Sequence, residues 1–217
     1  ISASLIYLRY KPEIYKTEAK IQIEVNDEPF QFAEINSNSY NRNLSSELAV
    51  IKSQKSIYKL IKKLNLNIFY YIEGEVMTSF LYKKNFYDLN TFSVKDSSLI
   101  SEKIHLIYEN NYFSLVNKEK KIVYAEFIKA NKYFSSDYIS GIITINSDLD
   151  GFKKNIEKAD SYFIFPSLSQ KVEEIINGLD ARIINSSART IGISHQHTNS
   201  IFSKDICNSL VDVYFKH

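Results

Sequence analysis

Cysteine occurs once in this sequence, at Cys207, while glycine occurs five times and proline three times in 217 residues. A single cysteine excludes an intrachain disulfide and a cysteine-based zinc site, and it leaves the redox compartment open. Five glycines leave little material for phosphate-cradling loops, and the patterns G-x-G-x-x-G, G-x-x-x-x-G-K-[ST] and G-x-S-x-G are all missing. No stretch approaches the roughly 18 consecutive apolar residues of a membrane-spanning helix. Neither sign of charge dominates: 27 Lys and Arg against 25 Asp and Glu give a net +2. Overall electrostatics therefore point neither to nucleic acid nor to an anionic membrane, and any basic patch is local. What is present is core-forming material, 44% hydrophobic and 24% charged, enough for one large or two small globular domains.

The hydrophobic periodicity divides the chain. In "EAKIQIEV", Ala19, Ile21, Ile23 and Val25 alternate with Glu18, Lys20, Gln22 and Glu24, which predicts a half-buried strand. The Asn- and Ser-rich stretch from Asn26 to Asn43, broken by Pro29, reads as a long loop. From Leu44 to Leu64 the period becomes 3.6, with Glu47, Val50, Ile51, Gln54, Ile57, Tyr58, Ile61 and Leu64 on one face of a single helix. Lys52, Lys55, Lys59, Lys62 and Lys63 gather on the other face, and Asn43 or Ser45 is the expected N-cap. Between Phe86 and Phe165, short runs of Ile, Val, Tyr and Phe alternate with turn residues. "IHLIYENNYFSLV" is a hairpin turning near Asn110 and Asn111, "VNKEKKIVY" extends it into a meander, and "YISGIITINSD" and "SYFIFPS" add two strands. A helix follows from Ser169 to about Leu179, then the strand "ARTIGISH" with Ile191 and Ile193 on one face. An amphipathic helix from Asn199 to Phe215 closes the pattern, burying Phe202, Ile206, Leu210 and Val213. The expected fold class is α+β: a mixed sheet flanked by helices, built by both ends of the chain, with a β-rich central insertion over residues 86–165.

Candidate chemistry is sparse. His195 and His197 lie on one side of an extended chain, a geometry that metals use, but no third ligand stands at metal spacing and His105 and His217 are remote. The pair reads as surface histidines in a polar strand-to-helix loop. Asp148 to Gly151, "DLDG", resembles the start of a calcium loop, yet the position expected to supply its closing carboxylate is Ala159, so it reads as a turn. Cys207 has no basic neighbour beyond Lys204 and reads as a half-buried filler on the last helix. The lysine face suits phosphate, anionic sugar or lipid headgroups, although charged helix faces are usually solvated. No catalytic residue, cofactor site or metal site emerges.

Four segments resemble the polysaccharide co-polymerases, or chain-length determinants, of the Wzz superfamily, especially the periplasmic part of the capsule and exopolysaccharide membrane tyrosine kinases. "KPEIYKTEAKIQI", with Pro12 and Tyr15, is similar to the stretch that leaves the family's first transmembrane helix and enters its first strand. "LSSELAVIKSQKSIYKLIKKLNLNIFYY", with Glu47, Ile51-Lys52-Ser53, Leu64, Leu66 and Tyr70, is similar to its first long helix. "SFLYKKNFY" resembles a further family segment around Leu81, Tyr82 and Phe86, but carries Phe80 in place of an acid and Asn85 in place of a proline. "LDARIINSSARTIGISHQHTNSIFSKDICNSLVDVY" resembles the last motif, with Ser187 opening a strand and Asn208 and Tyr214 on the helix.

The resemblance implies a periplasmic domain of a bacterial inner-membrane protein, residues 13–217, held by flanking membrane helices, with residues 1–12 as the end of the first helix and its juxtamembrane segment. In that reading the uncharged run Ile1 to Leu8 is the tip of a membrane helix, Tyr7 and Tyr10 suit the interface, and Pro12 ends it. It also implies homo-oligomeric assembly, contact with a polysaccharide polymerase or export machinery and with the polysaccharide itself, and regulation of polymer length without bond-making by this segment. The interface candidates are Lys52, Lys55, Lys59 and Lys62, with the Asn/Ser-rich loop before them. Two other readings stand beside it. One is an extracytoplasmic ligand-sensing domain of a membrane receptor; the other is a glycan hydrolase whose paired acids converge only in space.

Overall fold

The computed structural model describes residues 12–23, 37–74, 76–146, 152 and 160–216, with 37–43 as backbone only. In chain order the first elements are β1 (Tyr15–Gln22), α1 (Ser37–Ile51), α2 (Gln54–Leu64), β2 (Phe69–Glu73), β3 (Thr78–Leu81), β4 (Tyr87–Val94) and β5 (Ile104–Glu109). They continue with β6 (Tyr112–Asn117), β7 (Ile122–Ile128), β8 (Tyr133–Ser135), β9 (Ile139–Ile145), β10 (Asp160–Ile164), α3 (Leu168–Ile176), β11 (Leu179–Asn185), β12 (Thr190–His197) and α4 (Ser200–Phe215). Among the described residues, four helices and twelve strands in three sheets make the fold α+β, the class expected from the periodicity. Two bodies separate: Glu13–Leu66 with Leu168–His217, and Asn67–Ser167.

The first body joins the two ends of the chain in one sheet of order β1-β12-β11, antiparallel throughout. β1 pairs with β12 over eight residues, from Tyr15 opposite His197 to Gln22 opposite Thr190. Ala19 and Ile21 face inward beside Ile191 and Ile193, as the alternation demands. α4 covers this face with Phe202, Ile206, Leu210 and Val213, all buried and all expected. Asn199 caps it: its Oδ1 accepts the Phe202 N–H at 3.0 Å.

Several expectations fail in this body. The helix expected over 44–64 is two helices, and the first begins at Ser37, inside the stretch read as loop. Asn43 and Ser45 are therefore interior to α1, not at its N-terminus. The break falls at Ser53, whose backbone is extended (φ −65°, ψ 148°) and whose hydroxyl accepts the Ser56 N–H at 3.2 Å. The Ser56 hydroxyl in turn donates to the Val50 carbonyl at 2.7 Å, so two serines satisfy backbone groups that the break exposes. α2 then buries Ile57, Leu60 and Ile61, whereas Gln54 and Tyr58 turn outward, because restarting the helix rotates its apolar face. Asn65, left-handed at φ 51°, closes it by donating to the Ile61 and Lys62 carbonyls. β11 is also new. α3 ends at Ile176, short of the expected Leu179, and the chain re-enters the sheet at once.

Among the described residues the second body is built mainly of strands, with one short 3-10 helix at Ser97–Leu99, and begins at Asn67, earlier than 86, since the hairpin β2–β3 joins its larger sheet through β10. That sheet has order β3-β2-β10-β5-β6-β7, and β4-β9-β8 forms a smaller one. The β5–β6–β7 meander is the expected one. Asn110 (φ 50°) and Asn111 (φ 68°) make its first turn, the left-handed pair that a two-residue hairpin requires. Between the sheets lies an aromatic core including Tyr87, Phe113, Phe152 and Phe163. Its phenols are partnered: Tyr70 accepts the Leu89 N–H at 3.0 Å and Tyr87 accepts the Ser161 hydroxyl at 3.1 Å. Phe80, Tyr71, Tyr162 and His105 stand directly opposite one another on four neighbouring strands. Tyr71 and Tyr162 stack at 5.0 Å and 18°, so those two rings face each other along the row.

Candidate functional site

The sequence places His195 and His197 together, and the structure keeps them together in a different setting. Both lie in β12, not in a surface loop. Extending the Ile191, Ile193 alternation by one step carries His195 into the core, where it has no solvent exposure. The two rings stack with centroids 6.1 Å apart at 21°, and the Phe202 ring packs against both at 5.8 and 4.8 Å. Among the described residues neither His195 nitrogen has a hydrogen-bond partner. Burial, reinforced by His197, lowers its pKa to about 4, so the ring is neutral near pH 7.

His197 is instead bonded on both nitrogens. Its Nδ1 accepts the Asn199 backbone N–H at 2.9 Å, and its Nε2 lies 2.8 Å from Glu174 Oε1 on α3. Because an N–H points at Nδ1, that atom carries the lone pair, and Nε2 donates to the carboxylate. A carboxylate holding an imidazole is half of a general-base arrangement, but the other nitrogen is occupied by the chain's own amide. The pair borders an open depression of about 480 Å³, lined also by Ile14, Asn177, Leu179, Asp180 and Gln196. Gly178 forms part of its wall because the Gln196 backbone crosses there: Gln196 donates its N–H to the Gly178 carbonyl at 2.9 Å. Among the described residues no three His, Cys, Asp or Glu side chains come together to hold a metal ion. Sequence reasoning missed two members of this cluster. Asn199 had a legible signal, a capping residue ahead of an apolar 3.6 period; Glu174 had none, since it meets His197 only through the fold.

The lysine face is partly dispersed. Lys55, Lys59 and Lys62 share one face of α2 at i, i+4 and i+7, with Lys59 half-buried and the others exposed. Lys52 stands apart, exposed in the turn between the helices. None of the four has an ion-pair partner among the described residues, whereas Lys63 pairs with Asp212 on α4. Cys207 is fully buried, more deeply than expected, and its thiol donates to the Thr17 carbonyl at 3.4 Å. Burial pushes the thiol up to about 11, which suits a core filler.

The segment Asp148 to Gly151, the run Ile1 to Leu8, and the Asn/Ser-rich stretch before Ser37 lie outside the described residues. Among the described residues no helix is long and apolar enough to cross a membrane. Three of the segments on which the family resemblance rests fall mainly in the first body, as β1, as α1 with α2, and as β11 with β12 and α4. The segment with the departures at Phe80 and Asn85 falls in the second. Compared with known proteins, the chain matches no family model and no curated protein.

Proposed function

We propose that this chain is the periplasmic part of a bacterial inner-membrane protein that regulates the length and export of a surface polysaccharide by assembling with copies of itself. The observation that supports the reading most is the eight-residue pairing of β1 with β12. It draws the first and last of the four resembling segments, far apart in sequence, into one body that also holds α1 and α2, which carry a third, and α4. In this reading the work is contact, not bond-making. Lys52 and the α2 row Lys55, Lys59 and Lys62 are the surface offered to a neighbouring subunit or to an anionic polymer, with the polymerase or export machinery as further partner; no cofactor or nucleic acid is involved. A ligand-sensing module would use the depression beside β12, but there His197 and Glu174 already satisfy each other.

The test is the mass of the full-length protein extracted in mild detergent, with and without Lys→Glu at 52, 55, 59 and 62. An oligomer that dissociates in the quadruple variant is expected. A monomeric full-length protein overturns the assembly reading, and an oligomer indifferent to the substitutions removes the lysines from it.

A further inference from the structure

The junction between β12 and α4 is held by groups that work in one protonation state. Asn199 is the cap of α4: its side chain accepts the Phe202 N–H, its carbonyl accepts the Ser203 N–H at 3.1 Å, and its own N–H is received by His197 Nδ1. The Ser203 hydroxyl donates to the His195 carbonyl at 2.6 Å. The first turn of α4 is thus tied to the backbone of one histidine and to the ring of the other.

Adding a proton acts against both ties. A proton on His197 goes to Nδ1, since Nε2 already carries one toward Glu174, and it sets an N–H against the Asn199 N–H it previously received. A proton on His195 creates a charge in a site with no exposure, stacked against a ring of the same kind. The titratable and charged groups around the pair are Glu174 and, a turn earlier, Lys171 from α3, Asp180 from β11, Tyr15 from β1 and Cys207 from α4, with Glu18 of β1 on the opposite face of the sheet. Of these, Glu174 is within hydrogen-bond distance of His197, and among the described residues no group reaches the His195 ring nitrogens.

We propose that the β12–α4 junction is an acid-sensitive latch, in which proton uptake by the His195–His197 pair releases the N-terminal half of α4 from the sheet. The released state is one in which both imidazoles and Cys207 meet water. This device does not depend on the polysaccharide reading; it rests on the geometry of the first body alone.

Cys207, the sole cysteine, lies on the buried face of α4 and reports release directly. The experiment measures its reaction with a dithiodipyridine, which remains reactive in acid, on the full chain between pH 7.5 and 4.5, normalised at each pH to the denatured chain. The expected opening constant rises more than tenfold between pH 7 and pH 5, the order that linkage to one proton gives. At pH 5 it exceeds by more than tenfold the constant from hydrogen exchange of the β1 and β12 amides. In His195→Gln/His197→Gln the rise is lost, while Asn199→Ala raises opening equally at every pH. A flat wild-type profile overturns the proposal, as does a double variant that keeps the rise. Equal constants for Cys207 and the strand amides also overturn it, because the whole body is then unfolding. Should the double variant fail to fold, the wild-type profile and the comparison with the strand amides still decide.

Discussion

Replacing Gly178 and Gly192 separately by alanine probes how tightly the first body is closed. At Gly178 an added Cβ falls 2.1 Å from the Gln196 carbonyl oxygen and 2.9 Å from His195 Nε2. The first contact is more than about 1 Å inside ordinary van der Waals separation, and the obstacle is backbone, which does not rotate away. Relief requires β11 and β12 to part where Gln196 donates to the Gly178 carbonyl. Overpacking of this kind costs roughly 1–3 kcal/mol and the strained hydrogen bond about 1 more, so Gly178→Ala is expected to destabilise by about 3 kcal/mol. For a chain of this size that lowers Tm by roughly 6–12 °C. At Gly192 the Cβ falls 2.9 Å from Ile184 Cγ2, a branch methyl of a residue that is 44% exposed, so a χ1 adjustment toward open solvent relieves the contact. The lower backbone entropy of alanine offsets that small adjustment, so Gly192→Ala is expected to stay within about 1 kcal/mol of wild type. Thermal melts by circular dichroism separate the two. Equal shifts, or a Gly178→Ala shift under about 2 °C, would refute the claim that backbone closure at Gln196 fixes this corner.

Ser53→Ala removes the cap that restarts the chain as α2 and is expected to cost about 1 kcal/mol in urea denaturation, with Ser53→Asp near wild type. Asn111→Val forces a β-branched residue to φ 68° and should cost about 1–2 kcal/mol, read from the same transition. Acid should destabilise the fold through His195. Its folded pKa, about 4, lies below the ordinary histidine value of 6.5, so the unfolded chain binds the extra proton. The stability it contributes is present above pH 6.5 and is lost as pH falls toward 4, about 3 kcal/mol in all. Denaturation midpoints across that window should fall in wild type and flatten in His195→Gln.

Much of the fold was legible because period and propensity agree with tertiary burial. The β1 alternation, the Asn110–Asn111 turn and the α4 face are local signals that packing leaves intact. The start of α1 was illegible for a physical reason: "SNSYNRN" is built from Asn and Ser, weak helix formers that favour caps and turns. The break at Ser53 did leave a trace, a serine able to cap a new helix, but the apolar period runs through it and masks it. His195 was misread because its polarity outweighed its place in the alternation of β12. The Glu174–His197 contact joins α3 to β12 and has no counterpart along the sequence.

The proposed role is tested most directly by deleting the gene and resolving the chain-length distribution of the cell's surface polysaccharides by gel electrophoresis, with the full-length gene restored as control. A shifted or broadened length distribution that returns to normal on complementation is the expected outcome. An unchanged distribution of every surface polysaccharide contradicts the reading.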